Sequence, residues 1–239
     1  MSAGFWTWLV SSDAGLLVRV AAGVAVLAGM AAWELHRKGR RARRWREYVY
    51  LAAAAGVATA YGMLNDQVTA TVSWEYFYYG KLLAEVLGPG VSPPMGALRW
   101  EALKLGAKAA WTVGLILGVV ILIANNPRPG RPGLPYRTLY RLILWPLAGA
   151  VGCAVVAGVA GYAGTFAAVF TPIVANDLWR PSRFMCAWGI HLGGYFGAAV
   201  GGGLAVWRVR CLRKEQAGEE GKTRSDGDST QVRASGSAT

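Results

Sequence analysis

The sequence predicts an all-α protein that crosses a membrane several times. Hydrophobic residues make up 54% of the 239 residues and charged residues 16%, whereas about 25% of a soluble domain is charged. The apolar residues lie in runs of about twenty, the length that an α-helix needs to cross the hydrocarbon core. Basic blocks flank these runs, as they do beside membrane helices. We therefore expect about five transmembrane helices, near residues 14–33, 47–64, 106–124, 142–163 and 184–207.

The N-terminal part of the chain predicts the orientation. Residues 1–13 form an aromatic lead, and the first span follows at 14–33. Seven Lys and Arg residues then lie between His36 and Arg46, which places that loop in the cytoplasm by the positive-inside rule. The N-terminus is accordingly expected outside.

The second span, 47–64, leads to a polar and aromatic stretch on the outer side. From Val68 to Ser73, small apolar residues alternate with hydroxyl residues, and this period of two predicts an extended segment. Ser73 is a predicted N-cap, and Glu75 in the first turn suits the positive end of a helix. The aromatic residues that follow predict a short helix at the outer interface, at headgroup depth.

The remaining loops agree with this orientation. Four Arg residues mark the proline-containing loop after the third span, and seven Lys and Arg residues follow the fifth, so the three inner segments hold 7 + 4 + 7 = 18 of the 25 basic residues. Residues 208–239 are charged and rich in Gly and Ser, which predicts a disordered cytoplasmic tail. The predicted protein is thus a multi-pass plasma-membrane protein with its C-terminus in the cytoplasm.

The fifth span carries a ridge of small residues. Four glycines recur every four residues, which predicts close packing against another helix. Packing within the chain is the simpler expectation, and contact with a second copy or another membrane protein is the alternative. The ridge consists of Gly189, Gly193, Gly197 and Gly201.

Polar residues of two spans could meet near the outer surface. His191 points away from the ridge, shares its helix face with Tyr195 and lies at the membrane depth of Asp66. A titratable side chain at this depth is a functional candidate. The alternative is structural, with the polar side chains capping a helix end and fixing the outer segment. The candidate cluster is Asn65, Asp66, Gln67, Glu75, Tyr76, His191 and Tyr195.

The stretch from Tyr61 to Phe77 resembles a group of uncharacterised bacterial multi-spanning membrane proteins. Those proteins have an Asp-Gln-x-(Thr/Ser)-x-(Thr/Ser) run before Ser-Pro-Glu-Tyr-Phe, and a late helix with a His near a Tyr. Trp74 stands here in the place of that proline. The resemblance covers roughly Glu47 to Trp207 and implies six positions to test: Asp66, Gln67, Glu75, Tyr76, Phe77 and His191.

Three functions are consistent with these residues. The first is a non-enzymatic binding or assembly component that displays the polar-aromatic stretch. The second is a membrane-embedded, metal-assisted enzyme that uses Asp66, Glu75 and His191. The third is a small carrier for an apolar or lipid-like solute. We expect no cofactor, no resident metal and no nucleic-acid partner, because the basic residues follow the topology and the three cysteines are far apart; the lipid bilayer is the expected partner.

Overall fold

The computed structural model describes residues 12–39, 42, 44–88, 92–128, 132–166 and 178–235, with side chains of the last helix described as far as Glu219. Most of the predicted aromatic lead therefore lies outside the described residues. The described residues form helices and their connections, without a strand, and this confirms the all-α prediction. The helices are α1 (Asp13–Lys38), α2 (Trp45–Val72), α3 (Ala84–Leu87), α4 (Met95–Ala124), α5 (Tyr136–Leu142), α6 (Leu144–Tyr162) and α7 (Pro181–Ser235), with a π-helical turn at Tyr76–Gly80.

Three segments in the described part of the chain are long and apolar enough to cross a membrane. They are α1, α4 and the segment Tyr136–Tyr162, which joins α5 to α6. Pro146 lacks the N–H that would bond to Leu142 one turn earlier, and the helix is interrupted near Ile143. Three helices thus support membrane association. Length and composition alone identify three spanning helices among the described residues and do not confirm the predicted five.

Two tightly packed helix pairs form the body of the protein. In the α2–α4 pair, a Cβ added to Gly62 or Gly106 would lie within 3.0 Å of the other glycine's backbone. The α6–α7 pair is equally close along the whole predicted ridge. Its four glycines face the backbone of Ala157, Cys153, Gly149 and Trp145, in chain order. The ridge is therefore covered by α6 of the same chain, and its glycines are buried.

The segment Val68–Val72 is helical and corrects the expectation of an extended chain, and only Ser73 after it is extended. Helix α2 continues to Val72. The Thr69 hydroxyl donates to the carbonyl of Asn65 (2.8 Å) and the Thr71 hydroxyl to that of Gln67 (2.9 Å). Each hydroxyl is thus satisfied inside the helix, so the alternation of apolar and hydroxyl residues does not require a strand. Ser73 ends α2, and its hydroxyl accepts from the Tyr76 N–H (3.3 Å), as an N-cap does.

Three aromatic residues of the stretch after Ser73 are buried inside the bundle, whereas Tyr79 is 40% exposed. Tyr76, Phe77 and Tyr78 of the π-helical turn are each at most 3% exposed. They pack into a cluster with Leu98 of α4 and Phe184 of α7. Aromatic side chains bury large areas, and here that burial joins both helix pairs at one end of the bundle. We call this the Asp66 end.

Helix α1 lies beside the α2–α4 pair and packs on it lightly. Many of its apolar side chains are exposed, including Leu17, Val24 and Val26. At its beginning, the Asp13 carboxylate accepts from both Lys104 and Lys108 of α4. These contacts fix the start of α1 at the Asp66 end.

The end of the bundle opposite the Asp66 end contains a buried arginine, Arg213. We call this end the Arg213 end. Arg213 donates from Nη1 to the Ala124 carbonyl (2.8 Å) and from Nε to the Pro132 carbonyl (3.2 Å), and it is 8% exposed. The predicted disordered tail from Arg208 is therefore wrong at its start. Helix α7 continues to Ser235, and Arg213 anchors its part after Trp207 by satisfying carbonyl groups at and beyond the C-terminus of α4.

Candidate functional site

His191 and Asp66 meet between α7 and α2, as the sequence suggested. The Nε2 atom of His191 lies 3.2 Å from the Thr69 hydroxyl and 3.7 Å from Oδ1 of Asp66. All three residues are buried, with 8%, 0% and 5% of His191, Thr69 and Asp66 exposed. The imidazole is thus within hydrogen-bond distance of the hydroxyl and a little farther from the carboxylate.

Two aromatic rings of the π-helical turn hold the imidazole. The Tyr76 ring stacks on His191, with ring centres 4.8 Å apart and planes 26° apart. Phe77 meets it edge-on, with a centre distance of 5.9 Å and an interplanar angle of 72°. The orientation of His191 is therefore set by packing as well as by hydrogen bonding, which favours a preorganised group.

Glu75 faces another part of the structure. Its carboxylate accepts from the backbone N–H groups of Trp179 (2.6 Å) and Arg180 (3.3 Å), just before α7 begins. A carboxylate in this position satisfies donors at a helix N-terminus and suits the helix dipole. The proposed metal ligands Asp66, Glu75 and His191 are consequently not brought together. Among the described residues, no three His, Cys, Asp or Glu side chains are arranged to hold a metal ion.

Gln67 also has a structural contact. Its amide Nε2 donates to the Arg99 carbonyl (2.8 Å), and the Arg99 guanidinium donates to the Thr71 hydroxyl (3.0 Å). These bonds join α2 to α4 on the side away from His191. The expectation of a structural role therefore describes Gln67 and Glu75 well, whereas Asn65 and Asp66 line an open space.

That space is a cavity of about 140 Å³ between the two helix pairs. Its wall is formed largely by Ala, Gly, Val, Leu and Ile side chains of α2, α4, α6 and α7. Asn65, Asp66, His191 and Tyr195 line its polar end. Tyr195 is 49% exposed and so lies where the cavity meets the surface.

Sequence reasoning missed three polar residues of this cavity. Lys81 lines its polar end, and its Nζ lies 5.5 Å from the centre of the Tyr76 ring. Tyr61 and Tyr50 also line it, and their buried hydroxyls have no hydrogen-bond partner in the described part of the chain. The 11-residue spacing of Tyr50 and Tyr61, which puts both on one face of α2, was the available signal. A lone lysine in a loop and tyrosines in an apolar helix are too common to be singled out.

Comparisons with protein-family models, curated proteins and solved structures gave no match to this chain. The geometry of the site is therefore the basis for the function proposed next.

Proposed function

We propose that this protein is a multi-pass membrane protein that binds one lipid-like molecule between its helix pairs. The apolar part of the ligand would lie along α2 and α4, with its polar group beside Asp66, His191 and Lys81. This is a binding function without bond breaking, and it unites the expected binding component with the expected carrier for a lipid-like solute.

The observation that carries the proposal is the shape of the cavity. It follows α2 from Asp66 to Tyr50, which are 16 residues apart and thus about 24 Å along the helix axis. This length is most of the roughly 30 Å hydrocarbon core of a bilayer. An apolar wall with a few polar groups at one end suits a small amphiphilic ligand, and a volume of about 140 Å³ restricts the enclosed part of that ligand to a single narrow chain. The unpartnered hydroxyl of Tyr61, five residues from Asp66, can donate to an oxygen atom near the polar end of such a ligand.

We propose that the chain crosses the membrane five times, which agrees with this function. Helices α2 and α7 contain 28 and 55 residues and pack closely along α4 and α6. Both partners are long and apolar enough to cross a membrane, so α2 and α7 would cross beside them. The basic residues then place the Arg213 end in the cytoplasm of the cell and the Asp66 end outside.

Filling the cavity tests the proposal. Val113 of α4 lines the cavity, whereas Ile116 of the same helix is 57% exposed and points away from it. The Val113→Trp variant is expected to abolish retention of a lipid-like molecule, and Ile116→Trp is the matched control of equal size. Each protein would be purified in mild detergent, and co-purifying lipids would be extracted and quantified by mass spectrometry.

The expected result is one lipid species near equimolar amount in the wild type and in Ile116→Trp, and at least tenfold less in Val113→Trp. Equal lipid content in all three proteins, with equal thermal stability, would exclude the cavity as the binding site. Stoichiometric recovery of a cleaved lipid from the wild type alone would favour the enzyme hypothesis instead.

A further inference from the structure

A second open space lies at the Arg213 end, between the last turns of α4 and the part of α7 from Val206 to Lys214. It has a volume of about 480 Å³. Ile123 of α4 and Val206 and Trp207 of α7 form its apolar wall, and Arg128, Arg210 and Lys214 form its basic wall. We call this space the basic groove. It is separate from the cavity that contains His191, because the two share no lining residue.

The charges of the basic groove are unbalanced. None of its lining residues is acidic in the described part of the chain. The acidic Glu215 nearby accepts from Arg208 (3.2 Å), which does not line the groove. Arg213, at the back of the groove, is held by backbone carbonyls of Ala124 and Pro132. Arg210 and Lys214 are exposed side chains one helical turn apart and therefore point to the same side of α7.

The order of the apolar and basic walls along α7 indicates the chemistry of a ligand that would fit the groove. Val206 and Lys214 are eight residues apart, so the groove changes from apolar to cationic over about 12 Å. Trp207, which is 58% exposed, lies at the apolar side of this change, and tryptophan is favoured at the membrane interface. An acyl chain beside Val206 and Trp207 and a phosphate group beside Lys214 would match this order. Basic pockets between helices on the cytoplasmic side are suited to anionic lipid headgroups.

We propose that the basic groove binds an anionic phospholipid, with its phosphodiester between Arg210 and Lys214 and an acyl chain against Ile123 and Trp207. The proposal requires that the chain lies in a membrane, but it does not depend on a ligand in the His191 cavity. A phospholipid at this place would also contact α4 and α7 together and so brace the end of the bundle.

The test compares two lipids with the same acyl chains. Phosphatidylglycerol and phosphatidylcholine would be titrated onto delipidated full-length protein in detergent, and bound lipid counted by native mass spectrometry. The wild type is expected to bind phosphatidylglycerol about 10- to 30-fold more tightly than phosphatidylcholine, since each of the two basic side chains near the headgroup favours an anionic lipid about fivefold or slightly less. In Arg210→Gln/Lys214→Gln this preference should be lost.

The control is Arg137→Gln/Arg141→Gln, which removes two exposed charges one helical turn apart outside the groove and should keep the preference. The charge-preserving variant Arg210→Lys/Lys214→Arg should keep it as well, and thermal unfolding of each variant shows that the fold is intact. Equal loss in both Gln variants would overturn the proposal, and so would displacement of the lipid by millimolar inorganic phosphate. Val113→Trp should leave phosphatidylglycerol binding unchanged, so the outcome is separate from that for the His191 cavity.

Discussion

The carboxylate of Glu75 accepts a 2.6 Å hydrogen bond from the backbone N–H of Trp179, a residue 104 positions later in the chain. Together with the Arg180 N–H, this contact connects the turn after α2 to the beginning of α7. It holds Tyr76 and Phe77, which follow Glu75 directly, against His191 on α7. Glu75 is therefore a positioning residue for the polar end of the cavity.

Replacing Glu75 should destabilise the protein. Glu75→Ala leaves two backbone donors without a partner and is expected to lower the free energy of unfolding by about 2–3 kcal/mol. Glu75→Gln keeps one acceptor oxygen and should cost about half as much. Chemical unfolding in mixed micelles would measure both. Glu85→Ala is the control, because Glu85 is exposed on α3 and its loss should change stability by less than about 0.5 kcal/mol. Similar losses for Glu75→Ala and Glu85→Ala would contradict the capping role.

The contact between Thr69 and His191 should appear as a coupling free energy. Thr69→Val removes the hydroxyl at nearly constant shape, and His191→Phe keeps an aromatic ring on Tyr76. In a double-mutant cycle, the two changes should be coupled by about 0.5–1.5 kcal/mol. The Thr71→Val change supplies the control cycle with His191→Phe, because the Thr71 hydroxyl bonds to Gln67 and Arg99 instead. Additive effects in the Thr69 cycle would show that the 3.2 Å contact adds nothing to stability.

Two glycines of α7 should respond oppositely to alanine. A Cβ at Gly197 would overlap the backbone of Gly149, whereas a Cβ at Gly203 would meet nothing within 4 Å. Gly197→Ala is expected to cost about 1–3 kcal/mol through overpacking. Gly203→Ala should be neutral or stabilise by up to about 1 kcal/mol, because alanine is the better helix former. Thermal unfolding of both variants checks this, and a neutral Gly197→Ala would mean that α6 and α7 are not in close contact there.

The proposed orientation predicts which cysteines can be labelled from outside the cell. In a background with Cys153, Cys186 and Cys211 replaced by Ala, a membrane-impermeant maleimide should label Thr71→Cys in intact cells. Arg128→Cys should be labelled only after the cells are opened. Both positions are exposed in the structure. The reverse pattern would invert the orientation, and equal labelling of both in intact cells would contradict a membrane barrier between them.

Much of the architecture could be predicted from local patterns. The apolar runs indicated the long helices, and the spacing of Gly189 to Gly201 indicated a surface suited to close packing. The segment from Val68 to Ser73 was mispredicted because threonine hydroxyls can bond inside a helix, so an alternating pattern of short residues fits both conformations. The long reach of Arg213 to Ala124 and Pro132 carries no sequence signal, and this is why the helical start of the tail was missed.

The candidate site could be predicted only in part. A histidine and an aspartate at equal depth on two helices were sufficient to indicate that Asp66 and His191 approach each other. The partner of Glu75 is a backbone N–H, and every residue except proline has one, so no pattern could identify it. The cavity is formed where small residues leave space between the two pairs. Its shape depends on how the two pairs are placed relative to each other, and the sequence pattern of a single helix does not predict that arrangement.

The backbone-to-backbone glycine contacts lie inside each helix pair. The two pairs meet each other through side chains, in the aromatic cluster near Tyr76, in the contacts around Arg213 and, between these, where Tyr61 faces Gly194 and Leu117 faces Gly202. Each pair would consequently move as one rigid unit, and the two pairs are joined most firmly at the Asp66 end and the Arg213 end. Between these ends, the cavity can widen when the two pairs bend apart, because no backbone-to-backbone contact between the pairs has to break. Entry of a ligand would then be limited by how far the two pairs separate in the middle of the bundle. Cross-linking the pairs there would trap a bound ligand in the cavity.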